Sequence, residues 1–157
     1  MSGEVVRGRV KIWRFGEFIA DGGPEAPVTD PQTGGELWQI WPATGGPELS
    51  VLYCKMARGH QTGLHSHPSH HYGVIIQGSS LVYTDGVMAQ QYVGDLIHIP
   101  ADVPHAFGGT ETEDCWLVDF VKPSMTVDDI VFHPERDAEV AAAYAECYRR
   151  LREGPAE

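Results

Sequence analysis

Five histidines fall within the twelve residues from His60 to His71 (His60, His65, His67, His70 and His71), and their spacing is that of metal ligands. His65 and His67 stand two apart, so on an extended strand both imidazoles project from one face. His71 follows four positions after His67, and His105 sits on a later apolar segment that hairpin pairing can bring alongside. Imidazole is the commonest protein ligand for zinc, iron, copper and nickel, and two close ligands joined by two from neighbouring positions make a site on a rigid scaffold. A solvated polar loop would have no reason to be flanked by strand-like runs on both sides, as this stretch is.

Short strands must position these histidines. Tyr72 to Gln77 is a nearly unbroken apolar run closed by Gly78. Leu81 to Thr84 and the run from Val87 flank Asp85-Gly86, a strong hairpin signal. Gly94-Asp95 is a further turn, Leu96 to Ile99 a strand, and Pro100 to Pro104 a loop that delivers His105. Leu49 to Met56 alternates Leu52, Cys54 and Met56 against Val51, Tyr53 and Lys55, with Lys55 expected at the surface. Cys115 to Val121 alternates Trp116, Val118 and Phe120 against Leu117 and Asp119. Upstream, Val5 to Phe15 fits one strand with a wet face, Gly16 to Gly35 an extended loop, and Leu37 to Trp41 a short aromatic strand. Downstream, Pro134 suits a first helical turn and Val140, Tyr144, Cys147 and Leu151 recur at helical spacing, so His133 to Glu153 is expected as an amphipathic helix with His133 as its cap.

Strands this short, with turns this close, indicate an all-β sandwich or barrel, followed by a C-terminal α-helix. At 157 residues the chain is expected as one domain: an N-terminal arm over 1–36, a barrel over 37–122 and a helix over about 133–153. Eleven basic against twenty-two acidic residues give a formal charge of −11, which repels phosphate backbones and anionic lipid, so neither nucleic acid nor membrane is expected as a partner. The first residues lack a signal-peptide pattern and no apolar run reaches membrane-spanning length, so a cytoplasmic location is expected. Cys54, Cys115 and Cys147 are odd in number and scattered through apolar segments, which suits reduced thiols. The strand-like N-terminal segment, set off by a long loop, is suited to adding to an exposed sheet edge of a second subunit, so a homodimer is expected.

The spacing of the central stretch resembles that of the cupins, jelly-roll barrels with an internal metal. Gly59, His65, His67, His71 and Gly78 fall on the positions of their first motif, with histidine where that motif has glutamate. Gly94, Pro100 and His105 fall on the second, while Asp102 and Gly109 depart from its glycine and asparagine. The resemblance implies one divalent metal held by His65, His67, His71 and His105. Among small cupins, the four histidines, the apolar-aromatic arm and the C-terminal helix look like the aromatic polyketide cyclases of the resistomycin type. That implies a zinc enzyme of antibiotic biosynthesis acting on a poly-β-keto chain, with Fe2+, Mn2+ and Ni2+ as alternative ions.

Four neutral imidazoles leave the full charge of a divalent ion in place, and an octahedral ion keeps two positions for substrate oxygens, enough to hold a 1,3-diketone as its enolate. Cyclisation is then an aldol step followed by loss of water. Ferrous iron in the same site would instead suit a dioxygenase cleaving a diketone or aromatic ketone, and a third possibility is a non-catalytic metal- or metabolite-binding module. Asp119, a carboxylate among apolar neighbours, is the candidate acid or base. Gln77, Tyr83, His98, Phe107 and Trp116 are substrate-pocket candidates if their faces point inward, whereas His60 and His70 read as loop histidines beside the ligands.

Overall fold

A computed structural model describes residues 48–154 together with four upstream strands, and of those strands the backbone alone. Upstream lie β1 (Glu4–Arg7) and β2 (Val10–Trp13), then β3 (Val28–Thr29) and β4 (Glu36–Ile40). β5 (Ser50–Met56), β6 (His65–Ser66), β7 (His70–Gln77), β8 (Ser80–Thr84) and β9 (Val87–Gln91) follow. β10 (Leu96–Ile99), β11 (His105–Gly109), β12 (Cys115–Lys122) and β13 (Val131–Phe132) complete the strands, and α1 (Asp137–Glu153) ends the described chain. Where one strand was expected over Val5 to Phe15, β1 and β2 pair with each other antiparallel. Both carry the same apolar-basic alternation, so the pattern cannot mark the reversal between them. Most of the expected loop over 16–35 lies outside the described residues, as does Trp41.

All pairing is antiparallel, and the strands form two sheets besides the β1–β2 ribbon. One is six-stranded in the order β10-β7-β12-β5-β4-β3, the other five-stranded in the order β13-β6-β11-β8-β9. This is the jelly-roll arrangement, and the two sheets are not closed into one barrel. The main core lies between them: Leu52, Cys54, Met56, Ile75, Cys115, Leu117 and Val121 from the six-stranded sheet meet Val82 and Phe107 from the other. The Asp85-Gly86 hairpin joins β8 to β9 with both residues at positive φ (50° and 78°), the geometry that lets a two-residue turn follow the twist of its strands.

β8 is buried on both faces, because α1 covers the outer side of the five-stranded sheet. Leu64, Leu81, Tyr83 and Ala106 pack there against Val140 and Tyr144 of the helix. The Tyr144 hydroxyl lies 3.1 Å from the carbonyls of both Leu81 and Ala106, so its single proton is shared between them. Gly108 is what admits the ring, since a Cβ there would lie 2.5 Å from it. The helix starts at Asp137, after a short 3-10 turn over Pro134–Arg136. His133 caps nothing through its side chain; its Nε2 lies 2.9 Å from the Ser66 hydroxyl. No helix among the described residues is long and apolar enough to cross a membrane.

Candidate metal centre

His65 and His105 are the residues at which β6 and β11 pair face to face, and His67 follows β6 immediately. Their rings lie 4.4 Å (His65 to His105), 5.0 Å (His67 to His105) and 6.2 Å (His65 to His67) apart between centroids. One nitrogen of each falls within 4.8 Å of the others, a separation one ion can bridge.

The backbone prepares all three. Nδ1 of His65 lies 2.8 Å from the Gly63 carbonyl, that of His67 2.9 Å from the Ser69 carbonyl, and that of His105 2.8 Å from the Val103 carbonyl. A carbonyl only accepts, so each Nδ1 carries the proton and each Nε2 carries the lone pair a metal needs. Nε2 of His105 is wholly buried without a hydrogen-bond partner. An orphaned buried acceptor amid two more imidazoles is what a cation would satisfy, so the donor set fits a divalent metal.

Burial, and next the neighbouring His65, hold the His105 imidazole well below the ordinary histidine pKa; burial, and next His71, lower that of His67. Both are therefore neutral ligands at neutral pH. In the unfolded chain they titrate near 6.5, so below that value the unfolded state binds more protons than the folded state. Stability of the metal-free protein is thus present in full above 6.5 and falls on acidification, until the lowered folded values are passed. The expected result is a lower urea midpoint at about pH 5.5 than at about pH 7.5, with a shallower slope in His105→Gln. Equal slopes in the two proteins would show that His105 does not fold in its neutral form.

His71, on β7, has its ring 5.8 Å from that of His67 and 5.9 Å from that of His105. Its Nε2 lies 2.9 Å from Oδ1 of Asp119 on β12, off the line of a hydrogen bond, and both ring nitrogens are buried without one. The three-nitrogen group thus forms without His71, which stands at its side against a carboxylate. Asp119 is 3% exposed, and Oδ2 accepts from the Cys54 thiol at 3.0 Å. These groups open into a pocket of about 450 Å3, solvent at its mouth included, whose walls pair His65, His67, His71 and Asp119 with Leu52, Met56, Phe107 and Val121.

Residues 52–121 match the family described as the cupin domain. That stretch is 70 of the 157 residues, less than half of the chain. Solved structures agree on the fold. A cupin-like protein from Thermotoga maritima is 22% identical with a TM-score of 0.55, the match covering 63% of this chain and 77% of that one. A cupin-2 domain from Rhodospirillum rubrum is 16% identical at 0.58, over 73% and 80%. The DMSP lyase DddQ from Ruegeria pomeroyi is 17% identical at 0.52, covering 61% of this chain and only 50% of that one. No protein of curated function matches the chain.

The two departures from the cupin pattern have a geometric reading. Asp102 stands where the motif has glycine and adopts φ +64°, donating its N–H to the His67 carbonyl at 2.8 Å. Aspartate is among the few residues that visit this region readily, so the turn that sets His67 survives. Gly109 stands where the motif has asparagine, and a Cβ there would lie 2.6 Å from the Ala57 carbonyl oxygen. At the motif position Gly78, φ is +72° and a Cβ would meet the Asp114 carbonyl oxygen at 2.2 Å.

Of the residues expected in the substrate pocket, Phe107 lines it, while four others lie elsewhere among the described residues. Gln77 and His98 are exposed on the outer face of the six-stranded sheet, where His98 stacks on Tyr72 at 4.4 Å and bonds His70 at 3.1 Å. Trp116 lies on the same outer face, with the Lys55 ammonium 5.8 Å from its ring. Tyr83 points away from the pocket toward α1, where its hydroxyl donates to the Glu139 carboxylate. Cys54 and Gly73 were not singled out from the sequence, although glycine inside an apolar strand signals close approach of another group.

Proposed function

We propose that this cupin is a zinc-dependent polyketide cyclase that removes a proton between two carbonyls of a poly-β-keto chain and closes a ring by aldol condensation. The observation that carries this reading is the placement of a buried carboxylate, Asp119, in the same apolar pocket as the converging imidazoles. His65, His67 and His105 would hold the ion, with His71 as fourth donor, and the ion would supply Lewis acidity to a carbonyl oxygen. Asp119 takes the methylene proton; the electron pair of the broken C–H bond moves into the enolate and forms the new C–C bond to a second carbonyl carbon. Asp119 returns that proton to the oxygen of the attacked carbonyl, and the hydroxyl so formed leaves as water with a second proton from the adjacent carbon, whose C–H electron pair becomes the ring double bond. Leu52, Met56, Phe107 and Val121 fold the chain and exclude solvent. The fold accommodates catalysis elsewhere, as the name of DddQ, a DMSP lyase, shows for that protein.

The test is metal analysis of protein purified without tag or chelator, with oxygen uptake and product mass measured on a poly-β-ketone and a 1,3-diketone. One equivalent of zinc, a product lighter by water and no oxygen consumption are expected. Iron-dependent oxygen uptake would replace the reading with a diketone-cleaving dioxygenase, and tight metal binding with no turnover of either kind would leave a non-catalytic binding module.

A further inference from the structure

Asp119 is a carboxylate taken almost wholly out of water, and two features of its surroundings are unrelated to holding a metal. On one side, β5 presents Cys54, whose thiol donates to Oδ2 at 3.0 Å. On the other, β7 presents Gly73 directly opposite Asp119 in register. A Cβ on Gly73 would lie 2.8 Å from Oδ1, 3.0 Å from the Ile97 side chain and 3.4 Å from that of Leu117. The carboxylate is thus seated between a strand that offers a donor and a strand that gives up a side chain.

We propose that Cys54 and Gly73 are positioning residues for Asp119: the thiol anchors Oδ2, and the bare α-carbon leaves the space in which Oδ1 turns toward His71 and the pocket. The proposal rests on the reading of Asp119 as the proton acceptor of the cyclase. A thiol suits the task chemically. It is a weak donor, so it fixes the rotation of a carboxylate while drawing off less of its charge than a hydroxyl or amide would. Burial, and next the charge of Asp119, push the Cys54 thiol well above its usual pKa, so the proton stays on sulfur. A valine at position 54 would keep an apolar side chain in the core but leave the buried Oδ2 without its thiol donor.

Two measurements test this. Infrared difference spectra against Cys54→Val isolate the S–H stretch of Cys54, which should lie below that of an unbonded thiol and shift upward in Asp119→Asn. On a 1,3-diketone, Cys54→Val should lower kcat about tenfold to a hundredfold through misplacement of the base, with KM and bound zinc unchanged. Cys54→Ser, which keeps a donor, should recover most of the rate, and Gly73→Ala should lower kcat while retaining metal. An S–H band indifferent to Asp119→Asn, or wild-type kcat in Cys54→Val, overturns the proposal. If the wild-type protein turns over no dicarbonyl, the cyclase reading falls, while the band still decides whether the thiol holds Asp119.

Discussion

Asp119→Asn is expected to lower kcat on a β-dicarbonyl by about a hundredfold to ten-thousandfold, the range carried by a positioned general base, while a full equivalent of metal stays bound. The amide keeps the shape of the carboxylate and can still accept from Cys54, but it cannot take a proton from carbon. Because Asp119 meets the histidine group at His71, at 2.9 Å, and the tautomers of His65, His67 and His105 are fixed by backbone carbonyls, those three keep them in the variant. The diagnostic is the separation of two readings on one sample: turnover lost, metal by plasma mass spectrometry retained. Loss of both together would make Asp119 a support for the metal site rather than the proton acceptor.

The second large effect concerns the metal. Zinc at a hundred times its Kd should stabilise the folded chain by about 2.7 kcal/mol, because it binds the folded state alone, and a domain of this size gains about 2–4 °C in Tm per kcal/mol. His67→Ala should abolish that shift and the stoichiometric metal with it. His67 is 3% exposed and its Nδ1 is already committed to the Ser69 carbonyl, so truncation removes a fixed donor nitrogen from the group of three. Thermal melts with and without zinc, on wild type and variant, give the answer. An undiminished zinc shift in His67→Ala would remove His67 from the ligand set.

Much of this was legible in the residues. The run over Tyr72 to Gln77, the Asp85-Gly86 reversal and the alternation of Cys115 to Val121 appear as β7, the β8–β9 hairpin and β12, because each combines an apolar period with a turn only certain residues can make. The grouping of His65 with His67 and His105 was legible for the same reason, since a spacing of two fixes a shared face. What alternation leaves open is which face is inward. On β12 it separates Asp119 from Trp116 without saying which meets the pocket, and the core between the sheets decides it. Tyr83 illustrates a second limit: β8 is covered by the core on one side and by α1 on the other, so an inward-looking apolar residue there need not see the pocket. Cys54 gave no signal, because a buried thiol that donates reads in sequence like any small hydrophobe.

The histidine triad and the carboxylate hang from different walls. His65 and His105 belong to the five-stranded sheet, and Asp119 with Cys54 to the six-stranded one. The packed layer in which Ile75 and Leu117 meet Val82 and Phe107 spaces those walls. That layer acts as the gauge block of the site. Trimming or thickening it alters the gap between the histidines and the carboxylate while each wall keeps its own donors. Close packing transmits such changes rather than absorbing them, so drift in that layer moves one wall against the other with His65, His67, His105 and Asp119 all unchanged.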